Sequence, residues 1–349
     1  MQYMINISKK LLTIVAMTMT VAANSVAADT LTVAMTGDIM MGTLFPTPVL
    51  PPEDGKKLFV DVKNILLNAD VTAGNLEGTL CDDGTTKKKP SKYCYAFETP
   101  LRFAPRLKEV GFDFLTMANN HSMDFGLKGL ESTEKTLDAM GIAYAGVRGR
   151  RKGAVVTRNG VRYGFCAFGH NGYTIRHQEL ETAKAIMDSI RNKCDILIVT
   201  FHGGAEGKDK SNLPQGREYF LGEDRGELRS FTHFCIDNGA DIVFGHGPHV
   251  VRCVELYKGR LIAYSLGNFC TPYGVNITGI SGYAPVLEAK ISKDGRFLKG
   301  KIHSFIQQRG KGPRKDNANM VAKQMRKLTN ADIKNNKLKI ADDGTITVK

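Results

Sequence analysis

The stretch LTVAMTGDIMMG at residues 31–42 decides how the chain is read. Its first half is a short apolar run with β-branched residues, the composition of a buried strand. It breaks at Gly37 directly into the carboxylate of Asp38. In α/β sheets ligands bind where the carboxyl ends of parallel strands open into a crevice, so a strand that ends in glycine and a charge is a candidate wall of a site. The same construction recurs four times. Asn75-Leu76-Glu77-Gly78 follows the run at 71–74, and Asn119-Asn120-His121 with Asp124 follows 114–117. His202-Gly203-Gly204 follows 196–201, and Gly245-His246-Gly247-Pro248-His249 follows 241–244.

Between these runs the apolar period lengthens to that of helices, at 57–68, 104–110, 127–140, 179–192 and 227–238. Strand and helix in alternation predict an α/β fold with parallel strands. Hairpins are interspersed: 155–165 turning at Asn159-Gly160, 251–264 turning at Lys258-Gly259, and 285–305 around Asp294-Gly295. So much hairpin predicts two stacked sheets with helices outside, in one domain over residues 29–312. A helix at 318–329 and a hairpin at 338–348 then form a basic C-terminal appendage, residues 313–349.

The 349 residues are 42% hydrophobic and 24% charged, which excludes a disordered chain and a multispan membrane protein. The net charge of +13 is unevenly placed. Residues 290–349 hold 16 basic and 5 acidic side chains, whereas 29–289 are balanced at 30 of each. A basic terminal section can attract an anionic polymer or lipid headgroups. Nucleic acid is not expected as a partner, since Trp is absent and no aromatics interleave with the basic residues.

Lys9 and Lys10, an apolar run at 11–23 and the small residues Ser25-Val26-Ala27-Ala28 have the pattern of a cleaved bacterial signal peptide over residues 1–28. The run is too short for a membrane-spanning helix, so no stable anchor is expected after cleavage, and the mature chain is expected in the periplasm or secreted. Seven cysteines in an oxidising compartment invite disulfides. Cys81 and Cys94, on either side of a polar loop, are the expected bridge.

Two carboxylates, an amide oxygen and three imidazoles make a mixed oxygen and nitrogen set that suits Mn, Fe or Zn. One or two such divalent ions are the expected cofactor; His177 falls outside every cluster. Here the residues carry a resemblance. GDIMMG, NLEG, ANNHSMDFG, HGGAE, GHGPHV and YSLGNF, in this order over residues 31–269, resemble the CapA family of poly-γ-glutamate capsule proteins, itself similar in fold to the calcineurin-like metallophosphoesterases. The resemblance implies a four-layer α/β/β/α sandwich. It implies metal ligation by Asp38, Glu77, Asn120, His202, His246 and His249, with Glu77 in the bridging position. His121 would be the proton donor and Asp124 would orient it, while Asn75 and Asn268 would make polar contacts with substrate. Met40 stands where metallophosphoesterases carry a ligand histidine, and Glu77 where they carry an aspartate.

The expected activity is that of a secreted metal-dependent hydrolase in capsule or poly-γ-glutamate synthesis or processing, acting on a phosphorylated or γ-glutamyl substrate. The alternative is a non-catalytic accessory module that binds an anionic polymer. Residues 43–55 and 205–225 are candidate rim loops.

Overall fold

Along β1 (Thr30–Ile39) alternate side chains leave on opposite faces, and both faces are buried: Leu31, Val33 and Met35 join one core cluster and Ala34 another. A strand covered on both sides belongs at the middle of a sheet between two layers. In the computed structural model, which describes residues 30–89 and 95–349, that is where β1 lies. The segment read as a signal peptide is outside the described residues, as is Cys94 and with it the bridge expected to Cys81.

From β1 the chain runs through α1 (Lys63–Leu67), β2 (Val71–Leu76), α2 (Pro105–Glu109), β3 (Phe114–Thr116), α3 (Gly126–Met140) and β4 (Ala143–Ala145). β1 to β4 pair in parallel in sequence order. It then builds a second sheet from β5 (Gly153–Arg158), β6 (Val161–Phe168), α4 (Leu180–Arg191), β7 (Ile196–His202), α5 (Leu228–Asp237), β8 (Ile242–His246), β9 (Val254–Tyr257) and β10 (Arg260–Ala263), in the order β9-β10-β8-β7-β6-β5. The chain returns to the first sheet for β11 (Asn268–Cys270), β12 (Val286–Ser292) and β13 (Phe297–His303), then α6 (Met320–Asp332), β14 (Leu338–Ile340) and β15 (Thr345–Val348). That sheet runs β14-β15-β13-β12-β1-β2-β3-β4, with β11 also beside β1.

The two sheets pack face to face. Phe114 of the first stacks on Phe165 of the second with ring centroids 4.3 Å apart, and Val33, Met35 and Ala73 share a core with Ile198 and Ile242. Leu66, Leu107 and Leu137 of α1, α2 and α3 bury Ala34 and Leu115 on the outer face of the first sheet. Phe231 of α5 meets Phe201 edge to face on the outer side of the second. The result is the expected order of helix, sheet, sheet, helix. Both hairpin turns placed by sequence in the second sheet show the paired positive φ of a type I′ turn, 50° and 78° at Asn159 and Gly160, 48° and 77° at Lys258 and Gly259.

The first expected helix is shorter than its apolar spacing suggests. Only 63–67 is α-helical. Arg314, far along the chain, takes the carbonyl oxygens of Lys57 and Leu58 by hydrogen bonds of 2.8 and 3.3 Å, holding the preceding turns open. Residues after 313 are woven into both sheets: β15 pairs with β13, and Thr329 of α6 accepts a hydrogen bond of 3.1 Å from the Val254 amide of β9. Among the described residues, no helix is long and apolar enough to cross a membrane.

Candidate metal centre

Strand register lines up the first half of the site. Asp38 of β1 stands beside Asn75 of β2 on one side and Asn268 of β11 on the other. In the second sheet His246 of β8 stands beside His202 of β7. Four of them lie at the carboxyl ends of parallel strands while Asn268 opens β11, and the two rows meet where the sheets face each other. Close backbone approaches at two glycines permit this. A Cβ at Gly37 would fall 1.9 Å from the Gly267 oxygen, and one at Gly247, where φ is +119°, 2.4 Å from the Gly203 oxygen. No residue with a side chain fits either place.

The functional groups meet in pairs across this seam. His249 Nδ1 is 2.9 Å from Asp38 Oδ2, and His246 Nδ1 is 3.2 Å from Asp38 Oδ1 but too misaligned for a hydrogen bond. His202 Nε2 is 3.4 Å from Glu77 Oε2. Asn75 Nδ2 donates to Asp38 Oδ1 at 2.8 Å and to Glu77 Oε2 at 2.5 Å, while its oxygen accepts from Asn119 at 2.9 Å. The Asn75 amide is therefore spent on bracing the two carboxylates, and it does not face the cleft as a substrate contact would. Asn268 does line the cleft, its amide held by the His249 and Ser281 carbonyls.

His121 and Asp124 lie together beside this seam. His121 Nδ1 is 2.8 Å from Asp124 Oδ2, which leaves Nε2 facing Glu77 Oε1 at 3.9 Å. Asp124 is itself held by the Phe97 amide and the Lys88 ammonium. Burial alone would raise the pKa of both site carboxylates, yet both lie below the usual range. His246 and His249 reverse the effect at Asp38, and His202 chiefly does so at Glu77, which is brought down to about 2. Burial works against the charged ring of His249, but Asp38 outweighs it and raises the pKa to about 10.

Several buried polar atoms here have no hydrogen-bond partner among the described residues: Glu77 Oε1, Asn120 Oδ1, Asn268 Oδ1 and both ring nitrogens of His202 and His246. Each such atom costs on the order of 1–3 kcal/mol when left unpaired. A divalent cation at the seam would give the carboxylate and imidazole atoms partners, and such oxygen and nitrogen donors fit Mn, Fe or Zn. Among the described residues no three or more His, Cys, Asp or Glu side chains are already drawn round one point as a metal cage. It is the unpartnered lone pairs that make the fit. Met40, which the resemblance puts where metallophosphoesterases carry a ligand histidine, is buried, and a Cβ at Gly274 would fall 2.7 Å from its methyl group.

Four residues near the site escaped the strand-end reading. His170 stacks on His202 at 5.6 Å, its Nδ1 3.3 Å from the His202 carbonyl oxygen. His177, outside every sequence cluster, lies directly behind Gly203, where an added Cβ would be 2.7 Å from its Nε2. Arg225 pairs with Glu206 at 2.7 Å and so fixes one wall of the cleft. His177 ends no apolar run and the charged pair lies in a rim loop, so no local pattern marks these three, whereas His170 follows Gly169 at the end of the run 161–168 and repeats the construction of the other strand ends.

The cleft itself, about 410 Å³, is lined by Phe97, His121, Glu206, Lys208, His249 and Asn268 among others. Residues 32–273 match the bacterial capsule synthesis protein family PGA_cap. The chain belongs to that family. It is 29% identical over 261 residues to the PGA biosynthesis protein CapA of Bacillus subtilis (strain 168), covering 70% of this chain and 64% of that protein. With the capsule biosynthesis protein CapA of Bacillus anthracis it shares 30% identity over 265 residues, covering 70% and 61%. The PGA_cap chain described here thus spans somewhat under two thirds of the length of these relatives. Similar solved structures include a phosphatase from Mycoplasma pneumoniae (14% identity, TM-score 0.48, 80% of this chain and 94% of that one). The calcineurin-like phosphoesterase YfkN from Bacillus subtilis is another (13%, TM-score 0.47, 79% and 91%).

Proposed function

We propose that this PGA_cap protein is an exported, metal-dependent hydrolase acting in the synthesis or processing of a capsular polymer of the poly-γ-glutamate kind. The observation that carries the reading is the seam between the sheets, where two buried carboxylates face imidazoles whose nitrogens are unpartnered. Asp38, Glu77, Asn120, His202, His246 and His249 would hold the metal. A divalent ion there would supply Lewis-acid polarisation and a more acidic water. The protein's own part is orientation and proton handling. Asn75 fixes the angle between the two carboxylates. Asp124 holds His121 at Nδ1, so that Nε2 can give a proton to a leaving group at the cleft. The CapA names of the two Bacillus relatives point to the polymer, and the segment 1–28 supports export.

The test is elemental mass spectrometry of protein purified without chelators or a metal-binding tag, followed by a screen of phosphoesters and γ-glutamyl polymers. One or two equivalents of Mn, Fe or Zn are expected, reduced in Asp38→Ala and in His246→Ala. His121→Gln should keep the metal and lose turnover. Absence of metal after reconstitution would overturn the hydrolase and leave a module that binds an anionic polymer.

A further inference from the structure

The cleft at the metal centre does not end at its rim. Lys208 and Asp209, which line it, also line an adjoining pocket of about 210 Å³ closed by Ser211, Gln324, Lys327 and Leu328. The second pocket joins the rim loop to one face of α6, so part of its wall comes from beyond the residues 32–273 that match the family. Its shape is fixed from below. Asp332 at the end of α6 accepts hydrogen bonds from the Asn212 side chain at 2.8 Å and the Leu213 amide at 2.9 Å, holding the rim loop against the helix.

Among the described residues, three groups in this pocket lack partners of their own. Ser211 is 6% exposed, and its hydroxyl oxygen is buried with no hydrogen-bond partner among the described residues. Lys208 and Lys327 are exposed and carry no ion pair or hydrogen bond among the described residues. The nearby carboxylate of Asp209 is already paired with Lys210 at 3.0 Å. Two unpaired ammonium groups and a buried hydroxyl favour an anion, because hydrogen bonds to an ionised acceptor are the stronger kind.

We propose that this pocket is a second subsite, which takes one carboxylate-bearing side group of an acidic polymer whose chain continues from the metal-centre cleft. The proposal rests on the reading of that cleft as a polymer-processing site. A ligand long enough to occupy both pockets gains from their linkage, since binding at the second becomes an intramolecular step. A single small carboxylate gains nothing of the kind.

The test is calorimetric titration of the full chain at low salt with a γ-linked glutamate decamer and, separately, with free glutamate. The decamer is expected to bind at least tenfold more tightly than glutamate. Lys327→Glu should weaken decamer binding about tenfold and Ser211→Ala several-fold. Lys339→Glu, the same charge change on β14 away from the pocket, should alter it less than twofold. Equal losses in Lys327→Glu and Lys339→Glu would show a diffuse basic field and overturn the subsite. So would wild-type affinity in both pocket variants, or a decamer that binds no better than glutamate. Metal content and hydrolysis on the same preparations report separately on the hydrolase, so the two readings fail independently.

Discussion

Two clusters of buried charge lie three residues apart on the segment after β8, and they are built in opposite ways. Arg252 is fully buried, with Nη1 2.8 Å and Nη2 2.7 Å from the two oxygens of Glu218 and Nε 2.9 Å from the Lys210 carbonyl oxygen. Glu218 also accepts the Ala205 amide at 2.9 Å. Charge and donors are answered within the chain, and the pair pins the rim loop 205–225 to the scaffold. At His249 and its neighbours the carboxylates are braced but imidazole nitrogens and amide oxygens are left over. A buried charge satisfied internally is scaffold, whereas polar atoms left over at strand ends are the mark of a missing ligand.

The largest effect should come from breaking the satisfied cluster. Arg252→Met leaves Glu218 buried and unpaired, for a loss on the order of 3–5 kcal/mol in denaturant unfolding. Arg252→Met with Glu218→Leu should recover much of that, while metal content stays at the wild-type level. Loss of metal in the double variant would mean the two clusters are not separable.

His177 sharpens the comparison, because its Nε2 is unpartnered although it lies behind the site. Burial lowers its pKa to about 3, against roughly 6.5 in an unfolded chain. Below that value the unfolded state binds the extra proton, so the neutral ring's contribution is complete above about pH 6.5 and is lost as pH falls toward 3. His177→Leu should remove a slope of up to about 1.4 kcal/mol per pH unit across this window. Parallel curves for the two proteins would show that His177 is not held neutral.

At the metal centre the ligand can be supplied. Zn or Mn at about 100 times its dissociation constant should raise stability by about 2.7 kcal/mol. The shift should vanish in Asp38→Ala and survive in Lys339→Glu. An equal shift in Asp38→Ala would place the ion elsewhere.

The smallest effect is expected at Lys88, whose ammonium pairs with Asp124 but is about one-third exposed, at 34%. Lys88→Met should cost ~1 kcal/mol or less and leave metal content unchanged, since the Phe97 amide still holds Asp124. A loss of metal would tie the His121 arm to the ion.

The parallel strands, the longer helices and the hairpin turns were legible because each follows a local rule of period, cap or turn. Helix 127–140 was found within one residue of Gly126–Met140 and ends at Gly141 in the left-handed conformation. The helix expected over 57–68 shrank because Arg314, a tertiary partner, captures two of its carbonyls. Asn75 shows the same limit within the site. Its position at a strand end was readable, but its role as a brace depends on Asp38, Glu77 and Asn119 converging on one amide.

The order of apolar runs and polar strand ends was enough to determine the α/β class, the strand ends that face the site and the chemical kinds of group gathered there, since these follow from side-chain period and residue type alone. Only the tertiary structure decided which groups meet, that His170 and His177 stand behind His202, that Arg252 is buried with Glu218, and that α6 closes a pocket beside the cleft. Those relations depend on distances between residues remote in the chain, and such distances exist only once the two sheets have packed.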